Sequence, residues 1–399
     1  MSRYRLGAYL AGATLARTAD EMSGPALLLL GLAVTGSART AALLYAALTI
    51  AGGCGGPLFG VLLDRSPAPG RMLAWALAGY AAGLGIVAAT LGHVALVAVA
   101  ALAAAAGFLA PSLTGGWTSR LPDILPAPRI ARGYSLDVST YSAAALLGPA
   151  LAGLVAAAAG AGWAMAVVVT LLLLAAPAAW RLPRPAPAGQ PAARASVLAD
   201  LRAGFGAIVR VRPLLRITAC SMIAYLGVGM LVVACPLLGQ RHLGGADRGA
   251  LLLSLLAATS LATNAVLTRW PPRLAPDTVF AGATMLAGGA YAALAVAPAA
   301  GWVIAAVAVA GVADGPQLSA VFAIRHREAP ARLRAQVFTT GASLKIVAGA
   351  LGAALAGHLA GSPAVVLAVA AATQAAALGA FAVIGLMARK GLAMDTSRT

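Results

Sequence analysis

With 399 residues, 61% of them hydrophobic and only 10% charged, the chain is far more apolar than a soluble domain, which carries about a quarter charged residues. Such a surface excludes a water-soluble globule and fits a bilayer, where lipid is the solvent for the outer face. The net charge of +17 does not point to nucleic acid, because no basic segment has the clustered polar face that such binding needs.

Arg3 and Arg5 precede the first apolar run. With no small-residue cleavage site ahead of a polar mature region, this reads as a retained first span and not as a signal peptide. Apolar runs of about 20 residues can cross ~30 Å of hydrocarbon. Twelve are predicted, near 7–34, 40–63, 72–91, 94–117, 134–158 and 161–180, then near 213–239, 247–268, 278–298, 301–323, 335–360 and 364–388. The predicted fold class is an all-α membrane protein with twelve transmembrane helices in two six-helix bundles. The first bundle covers 1–180, a cytoplasmic linker 181–212, and the second bundle 213–399.

Charge placement supports the count. With both termini inside, nearly all of the 28 Lys and Arg fall in inner segments. Only Arg39, Arg241 and Arg248 fall in outer loops, and Arg17 and Lys345 stay within spans. This is the positive-inside pattern of a multi-pass protein in an inner or plasma membrane with cytoplasmic termini.

The linker opens with a Pro-rich piece from Arg181 to Pro191, which cannot be a regular helix. Ser196 to Arg212 mixes apolar residues with Arg at helical spacing. It reads either as a short amphipathic helix on the inner surface or as a plain flexible linker. Trp163 and Trp302 lie near predicted outer ends, and Trp180 and Trp270 near inner ends, as interfacial belt residues do.

Cys54, Cys220 and Cys235 lie in apolar runs with no C-x-x-C pair and are expected to be buried small hydrophobes. His93, His242, His326 and His358 are scattered without a metal-ligand pattern. No P-loop, H-E-x-x-H or G-x-S-x-G is present. No enzyme, metal or bound cofactor is therefore expected, and no intrinsic ATP drive.

Residues 147–156 read LGPALAGLVA and residues 351–360 read LGAALAGHLA, at an offset of 204. The same offset places Thr268-Arg269 on Asp64-Arg65, at the inner ends of the second and eighth spans. A six-plus-six duplication predicts such a repeat, and parallel repeats of this kind build transporters.

In this layout the sequence resembles the major facilitator superfamily. One match is Gly60-Val-Leu62-Leu-Asp64-Arg65 with Gly70-Arg71, which resembles the superfamily's G-x-L-x-D-R-x-G-R loop between its second and third spans. Here three extra residues separate Arg65 from Gly70. The resemblance implies a gating loop in which Asp64 holds a closed state by pairing with amides and arginines. The second match, Gly148-Pro149-Ala-Leu-Ala-Gly153 in the fifth span, resembles the G-P-x-x-G-G motif of the drug:proton antiporter branch, with Ala152 in place of one glycine. The bland alternative is helix packing. The resemblance implies two pseudo-symmetric bundles that rock about a midplane site. It looks like a drug or metabolite exporter of actinobacterial type, working as a monomer in the lipid bilayer on a small-molecule substrate.

Charges inside spans are costly and mark function or structural pairing. Arg17, Asp20 and Glu21 interrupt the first span, and Arg17 is spaced to pair with either acid. On the functional reading, one acid pairs with Arg17 and the other binds and releases a proton as access alternates, so the proton gradient is the energy source. On the structural reading, the trio is a fixed salt-bridge lock. Asp137 is expected to pair with Arg132 or another loop arginine. Asp314 and Lys345 have opposite charge and are expected to pair. Gln317, Asn264, Tyr45, Trp117, Tyr141 and Tyr225 are candidates to line a cavity. The leading expectation is proton-coupled efflux of a small amphipathic compound. The alternatives are import or facilitated diffusion of a metabolite, or a non-transporting receptor or scaffold.

Overall fold

The computed structural model describes residues 6–113, 115–118, 120–126, 130–183, 197–269, 274–330 and 334–396. Among these there is no strand. The helices are α1 (Leu6–Thr35), α2 (Ala38–Arg65), α3 (Pro69–Thr90), α4 (Leu96–Gly107), α5 (Gly115–Thr118), α6 (Ile130–Ala159) and α7 (Ala161–Trp180). They continue as α8 (Val197–Arg210), α9 (Arg212–Leu238), α10 (Ala246–Arg269), α11 (Pro276–Ala295), α12 (Ala300–Glu328), α13 (Arg334–Leu359) and α14 (Pro363–Thr396).

Among the described residues, ten segments are long and apolar enough to cross a membrane. The other two of the expected twelve are α1, with 30 residues interrupted by Arg17, Asp20 and Glu21, and α2, with 28 residues. Large apolar side chains point outward, among them Val97, Trp75, Met285 and Leu154. In water that arrangement would be unstable; in lipid it is the solvated face. Trp163, Trp180 and Trp302 are exposed at helix ends, as anchors should be, while Trp270 lies outside the described residues.

Helix ends follow local chemistry. Gly36 takes φ 64°, which a side chain would disfavour, and Ser37 then caps α2 by accepting from the Thr40 amide at 3.2 Å. Gly160, at φ 100°, joins α6 to α7 in a single residue. The fourth span is not one continuous helix as predicted. It breaks after Gly107 into a 3₁₀ turn, Ala110–Ser112, and the short α5. Pro111 lacks the amide that would continue the ladder.

The chain forms two compact units. One comprises Met1–Ala195 with Cys235–Ala257, the other Ser196–Ala234 with Ala258–Thr399. In the first, Tyr9, Met22, Leu27, Leu44, Tyr80 and Trp117 are fully buried, and Tyr9 meets Trp117 edge-on at 5.7 Å. Trp117 is thus a core residue and not a cavity lining. In the second, Ile217, Cys220, Ile324 and Phe280 pack together, with Phe381 at 5.0 Å from Phe280. The cysteines are free; Cys220 and Cys235 are buried as expected, but Cys54 is exposed on α2.

The repeat is visible in the packing. Gly148 brings α6 so close to α1 that an added Cβ would lie 2.8 Å from the Met22 nitrogen. Gly352 brings α13 closer still to α9, where an added Cβ would run into the Leu226 carbonyl group. Both partners, Met22 and Leu226, stand at the same 204-residue offset as the two glycines.

Candidate transport site

The first unit holds a buried charge network between α1 and α6. Arg17 Nη1 donates to Asp137 Oδ1 at 2.8 Å and to the Asp137 carbonyl at 2.9 Å. Its Nη2 donates to Thr118 Oγ1 at 2.9 Å and to Asp137 Oδ2 at 3.2 Å. Thr140 Oγ1 also contacts Nη1. On the acid's side, the Tyr9 hydroxyl donates to Oδ1 at 2.8 Å and Thr118 Oγ1 to Oδ2 at 2.7 Å. The guanidinium carbon sits 3.7 Å from the Tyr141 ring centre. Arg17 and Asp137 are each 1% exposed.

This geometry corrects two expectations. Arg17 pairs with neither Asp20 nor Glu21, and Asp137 pairs with α1 instead of a loop arginine; the side chain of Arg132 lies outside the described residues. The physical reason is burial. A pair formed within α1 would leave Asp137 as an uncompensated charge in the interior, which costs several kcal/mol. Tyr9, Thr118 and Thr140 complete the network, and sequence reading missed them because hydroxyls carry no spacing pattern. The available signal was Asp137 itself, the lone acid in its apolar run.

Asp20 and Glu21 are consequently left without a cation. Among the described residues neither carboxylate has a hydrogen-bond or ion-pair partner. Asp20 is half-buried and Glu21 exposed, whereas every residue from Met22 to Gly31 is buried. Tyrosines stand close by. The Ser23 hydroxyl donates to the Asp20 carbonyl at 2.7 Å and receives Tyr80 at 3.0 Å. The Tyr45 ring packs on Gly24, where a Cβ would lie 2.7 Å from Tyr45 Cε2. Gly148 seats α6 directly on Glu21, with room for no Cβ: one would lie 2.6 Å from that of Glu21.

The two motifs divide differently. Gly60, Asp64 and Arg65 lie in the last turns of α2, and their side chains fall outside the described residues. Gly70 is buried at the start of α3, where an added Cβ would lie 2.6 Å from the Ala179 carbonyl oxygen. Arg71 lies over the Trp180 ring at 4.9 Å. Gly153 approaches α10, with a Cβ position 2.6 Å from the Asp247 carbonyl oxygen. Pro149 sits within a continuous α6. Gly148 and Gly153 therefore serve close helix packing.

In the second unit the predicted Asp314–Lys345 ion pair does not form. Asp314 on α12 turns toward α10, accepting from Ser260 Oγ at 3.2 Å. Gly315 permits that approach, since a Cβ there would lie 2.8 Å from Asn264 Nδ2. Ser319 donates to Asn264 Oδ1 at 3.2 Å, and Gln317 donates to Thr284 at 2.8 Å. The Lys345 ammonium instead lies over the Tyr225 ring at 4.2 Å. By the 204-residue offset, Lys345 occupies the repeat position of Tyr141, and Tyr225 that of Glu21. In each unit a charged residue thus stands where the other unit has a tyrosine. Sequence reading also missed a cluster in which Asp277 binds Arg216 and, at 3.0 Å, Arg327. Glu328 lies 2.6 Å from Arg327, and these two acids push the Arg327 guanidinium pKa up.

An all-helical chain with a lipid-facing apolar exterior, an internal repeat and carboxylates left open within a span has the build of a solute carrier. The sequence model of the family described as Major Facilitator Superfamily matches residues 9–353, and the chain belongs to that superfamily. It is a multi-pass membrane transporter and not an enzyme. No curated protein matches it. Similar solved structures include a POT family transporter in complex with 5-aminolevulinic acid, with TM-score 0.74, 12% identity and 96% of each chain covered. A bacterial homolog of the human lysosomal transporter Spinster gives 0.69 and 14%, covering 96% of each chain. The nucleoside transporter NupG gives 0.76 and 14%, covering 95% of this chain and 100% of that one. At such identities the likeness is one of fold.

Proposed function

We propose that this transporter is a secondary active exporter that couples efflux of a small amphipathic drug or metabolite to proton entry by alternating access. The observation that carries the reading is the open pair Asp20 and Glu21. Arg17 forms its ion pair with Asp137, so no cation among the described residues pairs with the two acids. Two adjacent carboxylates in a span are costly as anions and repel one another. A proton or a cationic group on the substrate relieves both costs, and its exchange between states is the coupling step. Tyr45, half-buried beside the pair, suits an amphipathic ligand, offering an apolar ring with a polar tip.

The same reading places the protein in an inner or plasma membrane with both termini cytoplasmic, which the distribution of arginines supports. It works as a monomer of two halves, 1–180 and 213–399, joined by 181–212. The gating role of Asp64 and Arg65 belongs to this proposal and rests on the motif. Import of a metabolite is the second reading; structural neighbours named as peptide and nucleoside transporters support a metabolite as the substrate and carry no direction.

The test is a sensitivity screen. Cells expressing the wild-type chain should resist at least one of a broad panel of antibiotics and dyes, and a protonophore should abolish that resistance. Asp20→Asn or Glu21→Gln should abolish it at unchanged membrane abundance. Resistance that persists in both variants rules out the proton role. Uptake of nutrients instead of resistance favours the importer.

A further inference from the structure

We infer that α8 is a two-faced strap whose outer face docks on the anionic phospholipids of the membrane leaflet beside it. Its inner face is accounted for: Ala207 and Ile208 are buried in a cluster with Leu214, Ala329 and Val337. Its opposite face is not. Phe205 is 53% exposed and Val209 46%. Arg202 is exposed and shares their side of the helix, because positions 202, 205 and 209 recur at helical spacing. Arg210 and Arg212 are exposed beside it.

An exposed Phe and Val set among arginines suit neither bulk water nor a protein core. They suit the boundary between headgroups and acyl chains, where apolar side chains insert and guanidinium groups meet phosphates. Two observations fix the occupant as this membrane. First, only Val211 separates α8 from α9, and the span carried by α9 begins at Arg212. The C-terminal end of α8 is therefore tethered to the bilayer surface. Second, the charge is complementary: residues 181–216 contain seven arginines and one acid, Asp200. Such a segment is drawn to phosphatidylglycerol-type headgroups and not to neutral ones. Because the inner face of α8 touches Val337 of α13, lipid grip on the outer face bears on the second unit.

The test uses the full chain in vesicles. A nitroxide is placed at Phe205→Cys, and separately at Val209→Cys, in a Cys54→Ala background, since Cys220 and Cys235 are buried. Collisions with oxygen, which partitions into lipid, are compared with collisions with a water-soluble nickel complex. In vesicles of phosphatidylglycerol and phosphatidylcholine, oxygen should dominate at both sites. Arg202→Gln and Arg210→Gln should each weaken the advantage of phosphatidylglycerol over pure phosphatidylcholine by about fivefold. Free access of the nickel complex in the anionic vesicles would overturn the inference, since the face would be in water. Exclusion of both reagents would also overturn it, because protein would be the cover. So would identical behaviour in the two lipid compositions. Both labelled sites are exposed, and monodisperse elution with unchanged thermal unfolding checks each fold.

Discussion

Arg17 of α1 and Asp137 of α6 form an ion pair with a shortest contact of 2.8 Å, and both side chains are 1% exposed. Tyr9, Thr118 and Thr140 complete the shell. The pair separates two kinds of acid in the first unit. Asp137 is structural, held by a cation and hydroxyls. The carboxylates of Asp20 and Glu21 have no hydrogen-bond or ion-pair partner among the described residues, which is the condition that the proposed proton exchange needs.

Breaking this pair should unfold the first unit before it alters selectivity. Asp137→Asn leaves a buried guanidinium uncompensated and should cost about 3–5 kcal/mol. Arg17→Lys should fail to rescue, because an ammonium cannot reproduce the fork that meets both carboxylate oxygens. Thermal unfolding in detergent reads both variants. Midpoints equal to wild type would show that the pair contributes nothing.

The repeat glycines make a paired prediction. Gly148→Val and Gly352→Val each drive a side chain into a neighbouring helix and should destabilise by about 1–3 kcal/mol, each in its own unit. Gly289 on α11 is the control, since nothing lies within 4 Å of its Cβ position. Gly289→Ala should be neutral or stabilising by up to ~1 kcal/mol, the helix-propensity gain. Equal effects at all three sites would refute the close-packing account.

Much of this architecture was legible in the sequence. Hydropathy located the spans because lipid demands long apolar helices, and α6 and α7 match their predicted bounds within a few residues. The repeat was legible because LGPALAGLVA and LGAALAGHLA carry the glycines that bring α6 onto α1 and α13 onto α9. Charge partners were not legible. Spacing along one helix makes Arg17 and Glu21 neighbours, but Arg17 turns to an acid 120 residues away. Asp314 and Lys345 attract one another on paper, yet one turns to Ser260 and the other to Tyr225. Which way a helix face turns depends on tertiary packing, and a single sequence does not record that.

The Asp277 cluster should matter little for stability. Arg327 is 47% exposed, Asp277 29% and Arg216 19%; ion pairs open to solvent, as the Arg327 contact is, contribute about 0–1 kcal/mol and are screened by salt. Asp277→Asn should lower the unfolding midpoint slightly in low salt and not at all in high salt. A large, salt-independent loss would show that the cluster is buried in the assembled protein.

Lys345 should behave as a functional and not a structural charge. It pairs with no carboxylate among the described residues and rests on Tyr225. Lys345→Met should keep or raise thermal stability, because it removes a poorly neutralised ammonium, and should impair transport. A destabilised variant with intact transport would reverse that assignment.

The most direct measurement is pH-gradient-driven accumulation, in inside-out vesicles, of the compound that the sensitivity screen identifies, compared across wild type, Asp20→Asn and Glu21→Gln. The account predicts that wild type accumulates the compound when the interior is acidic. At least one variant should lose that accumulation while still exchanging labelled for unlabelled compound. Accumulation at wild-type level in both variants would contradict it.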